Sequence, residues 1–402
     1  MKDNNRVCRV ALIICAALLV LLLSGVTGLH VVTDSDYDTI TRYARLEEIR
    51  QTLESDYYRD VDDDALIEGA IDGMMAALGD KYTFYYTPDE MKAHDESTTG
   101  NFEGIGVLVQ QNEDGEIEIV RVYDGSPAQS AGISAGDCII SVDGESVNAQ
   151  DEQSFTEGVN RIRRENGREV CLGIRRGEDS FEVTLTCSDI SVSNVESSMI
   201  NGDIGYIAIY QFSGDDVTAF KTDLEKLRGE GARGLIIDLR DNPGGLLDDV
   251  VKIADELLPE GLIVYTQSRD GEREEYYSDA AQCDLPVVML VNDMSASASE
   301  ILAAALQDYD RATIVGVTTY GKGIVQTLVR YGSDGAGMQY TSACYYTPAG
   351  RSIHGEGVTP DIIVEEAEGD IINAESPDPE KDTQLRTAVE EVRKSIGAVC
   401  AN

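Results

Sequence analysis

The chain has 402 residues, 42% of them hydrophobic. At roughly 100–200 residues per domain, two or three domains with a sizeable core are expected and global disorder is not. Lys and Arg number 32 against 74 Asp and Glu, a net charge of −42, which argues against a general nucleic-acid binder because phosphate contacts need a basic surface.

In chain order, Lys2, Arg6 and Arg9 precede an uncharged 20-residue stretch at 10–29. A membrane-spanning helix needs about 20 apolar residues, and its positive flank stays in the cytoplasm. We expect an uncleaved single-pass anchor at 10–30 behind a cytoplasmic tail at 1–9. A cleaved secretory signal, which would release the protein, fits less well, because Val26-Thr27-Gly28 is only a fair cleavage site. Everything after His30 then lies outside the cytoplasm.

Residues 31–98 read as helical. Asp62-Asp63-Asp64 supplies N-cap chemistry for a helix at 65–78, with Leu66, Ile71, Met74 and Met75 on its apolar face. His94 falls in an acidic helical stretch and is expected at the surface. Residues 99–188 change to strands, at 102–109, 116–122, 138–142, 169–175 and 181–186. An amphipathic helix at 153–164 places Phe155, Val159 and Ile162 on one face.

From 189 to 366 strands and helices alternate. Strands are expected at 204–209, 235–239 and 287–291, and helices at 217–227, 247–257 and 299–306, which implies an α/β layer. The acidic stretch 365–382 reads as a solvated linker. Leu385, Val389, Val392 and Ile396 mark a terminal helix, so 367–402 is linker plus helix. The cysteines form no CxxC and no Cys/His cluster, so no zinc site is expected; Cys171 and Cys187 would pair if adjacent strands brought them together.

Three segments carry candidate chemistry. Asn292-Asp293-Met294-Ser295-Ala296-Ser297-Ala298-Ser299-Glu300 joins a buried strand to a helix. Such a turn exposes a side chain and aims backbone N–H groups at one spot, although Ser297 or Ser299 as a plain helix cap gives the same text. Gly321-Lys322-Gly323 follows, with Gln326 beyond it. Poor solvation beside Ile324 and Val325 disfavours the ammonium, and a neutral lysine can take a serine's proton. Asp238-Leu239-Arg240-Asp241-Asn242-Pro243-Gly244-Gly245 ends a strand, and its glycines can present N–H groups to an oxyanion. A Ser-His-Asp triad would have to use His354, in a Gly-rich turn.

Together these motifs resemble the C-terminal processing peptidases, or tail-specific proteases. So do Thr319-Tyr320-Gly321-Lys322-Gly323-Ile324-Val325-Gln326, Tyr346-Thr347-Pro348-Ala349-Gly350-Arg351 and Gly79-Asp80-Lys81-Tyr82-Thr83. The resemblance implies a crotonase-like α/β peptidase core of ββα layers with an inserted α+β PDZ domain. It implies Ser297 as nucleophile, with spacing alone not excluding Ser295 or Ser299. It implies Lys322 as general base, oriented by Gln326, which one helical turn would bring to the same side. Ala298 N–H, with that of Gly244 or Gly245, would hold the oxyanion. No metal or cofactor is required.

In the PDZ domain that the resemblance implies, Phe102-Glu103-Gly104-Ile105-Gly106-Val107 would capture a chain terminus, and Phe155, Val159 and Ile162 would either line the groove or fill the core. Peptide or protein substrates with apolar C-termini are then the expected partners. The helices at 34–98 or 383–397 offer surfaces for a homodimer. Two other readings compete: a PDZ docking protein on a decayed core, which the presence of Ser297, Lys322 and Gln326 disfavours, and an unrelated acyl-binding α/β enzyme, which the export segment disfavours.

Overall fold

The computed structural model describes residues 34–401 apart from 113, 124, 148, 192, 333, 334 and 375. The expected anchor at 10–30 lies outside the described residues. No helix among those described is long and apolar enough to cross a membrane.

Two compact units divide between Gly79 and Asp80. The N-terminal unit holds helices Asp34–Asp56 and Asp63–Ala76. The second begins as its N-cap chemistry demands: Asp62 Oδ1 accepts from the N–H groups of Asp64 and Ala65. Arg50 ties the two helices together through Glu47, Glu54 and Asp63. No residue of Asp63–Ala76 is buried, and Ile67 and Met74 remain exposed.

In the larger unit, strands Val107–Gln111, Ile117–Val122, Cys138–Val142, Glu145–Ser146, Glu169–Arg176 and Asp179–Thr186 form an antiparallel sheet closed by helix Glu152–Ile162. Ile117, Ile119, Val142, Leu172 and Ile174 are its core. The single strand expected at 102–109 is broken. Gly106 has φ +77°, and a Cβ there would stand 2.3 Å from Ser126 Cβ, so the chain turns at a glycine. Strand Asn101–Gly104 instead pairs with Ser188–Ser191, stapling the two ends of this inserted segment together. The strands do not bring Cys171 and Cys187 together as a pair. Thr184 stands opposite Cys171 in the ladder, and both cysteines are free thiols.

The remaining residues build two sheets. The first runs Val195–Ile200, Ile204–Ile209, Gly234–Asp238, Val287–Val291, Ala312–Gly316, Ile362–Ile363, parallel after its first pair. Successive side chains alternate between its faces. Ile207, Ile237, Met289 and Ile314 meet helices Asp216–Gly229, Leu247–Leu257 and Ala298–Asp308. Tyr206, Ile236, Val288 and Leu290 meet helix Thr383–Ala401. Burial on both faces explains why these strands read as unbroken apolar runs.

The acidic stretch before the last helix is not a free linker at its end. Asp382 is buried, accepts from Leu385 N–H as a helix cap, and pairs with Arg240 at 2.8 Å. Arg240 also holds Asp238, whose carboxylate accepts from Tyr206. A buried guanidinium between two carboxylates thus joins the last helix to the loop that carries Gly244.

The second sheet has five strands: Phe84–Tyr86, Gly337–Tyr346, Gly261–Ser268 and Arg273–Ser278, with Ile324–Arg330 also paired to Gly337–Tyr346. It was not expected from the sequence, and it carries the Lys322 side of the site.

Candidate active site

Three serines cluster where strand Val287–Val291 leads through a turn into helix Ala298–Asp308, and the fold separates them. Ser295 is fully buried; its Oγ donates to Leu239 O and accepts from Asn292 N–H. Ser299 is equally buried and donates to Asn242 O at 3.0 Å. Both are structural. Ser297 is only half-buried and lines a cavity of about 410 Å³ together with Ala298, Gly245, Lys322 and Gln326.

Ser297 adopts φ +55°, ψ −113°, a conformation that costs a non-glycine residue roughly 1–3 kcal/mol and persists only where the surroundings enforce it. Two buried groups enforce it. The Glu300 carboxylate, fully buried, accepts from Ser297 N–H at 2.9 Å, Lys322 N–H at 2.8 Å, Gly321 N–H at 2.7 Å and the Thr319 hydroxyl. The Tyr345 hydroxyl lies between the carbonyl oxygens of Ser297 and Lys322, which share its one proton; burial pushes that phenol well above its usual range. Glu300 therefore holds the N–H groups of both residues, and Tyr345 their carbonyls. Sequence reasoning missed both. Glu300 reads as an ordinary capping acid three residues into a helix, and nothing local marks Tyr345.

The strand end at Leu239 positions the facing loop. Asn242 is fully buried; its Nδ2 donates to Ile209 O, and its Oδ1 accepts from Gly244 N–H at 2.8 Å. Gly244 N–H is therefore occupied. Among the described residues, the N–H groups of Gly245 and Ala298 find no acceptor, and both residues line the cavity. Gly244 is still required as glycine: at φ +105°, a Cβ would stand 2.7 Å from Ser297 Cβ and 3.0 Å from Ala298 N.

Lys322 sits in the loop before strand Ile324–Arg330, half-buried, with Nζ 4.9 Å from the Tyr82 ring centroid. Burial lowers its pKa, and the nearby Lys81 ammonium lowers it further; Tyr320 and Glu300 work in the opposite direction. Among the described residues its Nζ makes no hydrogen bond, and none joins it to Ser297 Oγ. Gln326 corrects an expectation: it lies on strand Ile324–Arg330, not one helical turn from Lys322. Its Nε2 makes a long contact, 3.5 Å, to Ile324 O. It lines the cavity by strand alternation instead.

His354 is exposed and does not line this cavity; its backbone packs behind Gly323, so no Ser-His pair forms. His94, expected at the surface, is half-buried and does line the cavity, with Nδ1 3.2 Å from the Tyr86 hydroxyl. Burial lowers its pKa.

A second cavity, about 500 Å³, is lined by Phe102, Gly104, Ile105, Gly106, Val107, Phe155, Val159 and Ile162. The fold thus brings all the expected groove residues together. Ile105 and Ile162 also belong to the core of the inserted domain. Ser97 and Gln211 line both cavities, and Gln211 Nε2 donates to Ser97 O.

Comparison with known proteins agrees with this geometry. Residues 203–364 match Peptidase family S41, 118–176 match the PDZ domain, and 27–90 match the activating protease CtpB N-terminal domain. A carboxy-terminal-processing protease of Bartonella bacilliformis is 37% identical over 367 residues, covering 89% of this chain and 82% of the relative. A probable CtpA-like serine protease of Staphylococcus aureus is 36% identical over 325 residues; the match covers 80% of this chain and 64% of that protein's length. The crystal structure of a putative S41 protease from Bacteroides fragilis shares the fold, with a TM-score of 0.50 at 16% identity over 79% of this chain and 90% of that one. The chain belongs to peptidase family S41 and is a protease of the carboxy-terminal-processing kind, with a PDZ domain.

Proposed function

We propose that this protein is a membrane-anchored serine endopeptidase that cleaves exported proteins presented by their C-terminal tails, with Ser297 as nucleophile and Lys322 as general base. One observation carries the assignment. Of the three serines in the turn, Ser297 alone faces the cavity, and it shares that cavity with a lysine whose charged form is disfavoured.

The neutral Lys322 amine takes the Ser297 hydroxyl proton as Oγ attacks the scissile carbonyl carbon. The N–H groups of Gly245 and Ala298 receive the oxyanion. Collapse breaks the C–N bond, and the Lys322 ammonium returns its proton to the leaving amine. Water then attacks the acyl-enzyme, Lys322 again removes a proton, and the acid product leaves with Ser297 restored. Gln326 orients the lysine. No cofactor enters these steps.

The substrate's apolar C-terminus occupies the cavity of the inserted domain, whose strand Val107–Gln111 extends a docked chain by β-addition. The wall that it shares with the catalytic cavity supports delivery of a tail from one to the other. The alternation of strands and helices in the parallel sheet supports the crotonase-like description of the core. The segment at 10–30 anchors the chain with its catalytic part outside the cytoplasm, and the exposed apolar residues of helix Asp63–Ala76 support homodimerisation through the N-terminal helices.

The decisive measurement is cleavage of an unfolded reporter with an apolar C-terminus by full-length protein, Ser297→Ala and Lys322→Ala. Loss in both variants is the expected result. A Ser297→Ala protein that still cuts refutes the nucleophile.

A further inference from the structure

The described mechanism leaves one group of side chains beside the site unused. Lys81 and Tyr82 come from the segment preceding strand Phe84–Tyr86, and Tyr320 from the loop that carries Lys322. Lys81 Nζ donates to the Tyr320 hydroxyl at 2.7 Å and lies 4.9 Å from the Tyr82 ring centroid. Lys322 Nζ lies at the same distance, 4.9 Å, from that ring centroid. One aromatic ring thus serves two ammonium groups. The segment is firmly held. Asp80 accepts from Tyr82 N–H and the Thr83 hydroxyl, Thr83 accepts from Thr341 N–H, and the following strand pairs with Gly337–Tyr346.

An aromatic face attracts a cation more weakly than a carboxylate does, so Tyr82 gives the Lys322 side chain a resting place inside the cavity. A paired carboxylate would stabilise the ammonium far more and spoil the base. A second cation within 4.9 Å of the same ring centroid opposes the first. We propose that Tyr82 is a positioning residue for Lys322 and that Lys81 acts through it to keep Lys322 available as a base. This rests on the reading of Lys322 as the general base.

Other titratable groups surround Lys322. Tyr320 stands on its own loop, and Glu300 on helix Ala298–Asp308 is engaged by four donors. Tyr345 meets its carbonyl from strand Gly337–Tyr346, His94 lines the cavity from helix Pro88–Thr99, and the His354 turn backs Gly323. Asp80 precedes Lys81 and is held low by the neighbouring hydroxyls of Thr341 and Thr83. Lys81 is the group whose like charge reaches Lys322.

The test is the pH dependence of Ser297 acylation by a fluorophosphonate probe, with kcat and KM on the unfolded reporter, in full-length protein. In Lys81→Met the acidic limb moves to higher pH. At neutral pH the rate falls about three- to ten-fold while the alkaline plateau matches wild type; Lys81→Arg restores the profile. Tyr82→Leu lowers kcat with little change in KM, and Tyr82→Phe, which keeps the ring, stays close to wild type. A Lys81→Met profile that superimposes on wild type, or one lowered equally at every pH, overturns the proposal. So does a fully active Tyr82→Leu. Lys81 is exposed, so its variants decide the matter even where Tyr82→Leu fails to fold. Lys322→Ala separates the two levels: if it remains active, the general-base reading itself fails. If it is inactive while Lys81→Met is unchanged, only the present inference fails.

Discussion

The two sides of the active site are built differently. On the serine side, Ser297 stands beyond the end of a strand buried on both faces, and the polar side chains packed around it are engaged. Ser295, Ser299, Asn242 and Glu300 are all fully buried and hydrogen-bonded. On the lysine side, Lys322 hangs from a loop of the second sheet, half-buried, with an aromatic ring for company and no hydrogen bond to its Nζ among the described residues. Buried hydrogen bonds fix the serine side; among the described residues, none ties the Lys322 ammonium.

Substitutions on the rigid side have the largest expected effects. Ser297→Ala should cut kcat by about 10⁴-fold or more. Ser297→Gly should be as inactive yet more stable by about 1 kcal/mol, because glycine accepts φ +55° without strain; thermal melting beside the activity assay checks both. Glu300→Gln presents an amide to four donors that now share one carboxylate. It should lower kcat by roughly 10²–10³-fold and cost about 3 kcal/mol in denaturant unfolding, a loss that reaches both sides of the site. Gly244→Ala drives a Cβ to within 2.7 Å of Ser297 Cβ and should lower kcat by about 10²-fold, with peptide affinity in the neighbouring PDZ-domain cavity unchanged by titration.

The same asymmetry governed what was legible in the sequence. The parallel strands announced themselves as apolar runs because burial on both faces demands it, and the strand-to-helix turn with its serines followed directly. Which serine faces the cavity was not legible from spacing, which is blind to the hydrogen bonds that Ser295 and Ser299 donate to the carbonyls of Leu239 and Asn242. The second sheet was not seen because its strands are half-buried and mixed in composition: Gly337–Tyr346 alternates too weakly to mark a face, and two of its partners, Phe84–Tyr86 and Gly261–Ser268, lie far away in the chain. The helical-turn argument for Lys322 and Gln326 failed for that reason, although both residues line one cavity. Asp382 was read as solvated because its partner, Arg240, is distant in sequence and meets it only in the fold.

The smallest expected effect probes the pliant side through stability rather than rate. Lys322 has a folded-state pKa below its unfolded value, with burial as the main cause. Between those two values the unfolded chain binds more protons than the native one, so stability rises with pH across that window. Below the folded pKa the native protein carries the full cost of a poorly solvated ammonium; above the ordinary lysine range, near 10.5, neither state is charged and the cost vanishes. Lys322→Met keeps the length of the side chain and removes the charge. It should therefore melt at a higher temperature than wild type at neutral pH, and the gap should close as pH climbs past the ordinary lysine range. A gap that stays constant with pH would mean that the methionine gains only apolar packing and that the cavity already accommodates the ammonium without strain. The base would then owe its reactivity to the approach of substrate, and the comparison between a fixed serine and a primed lysine would lose its second half.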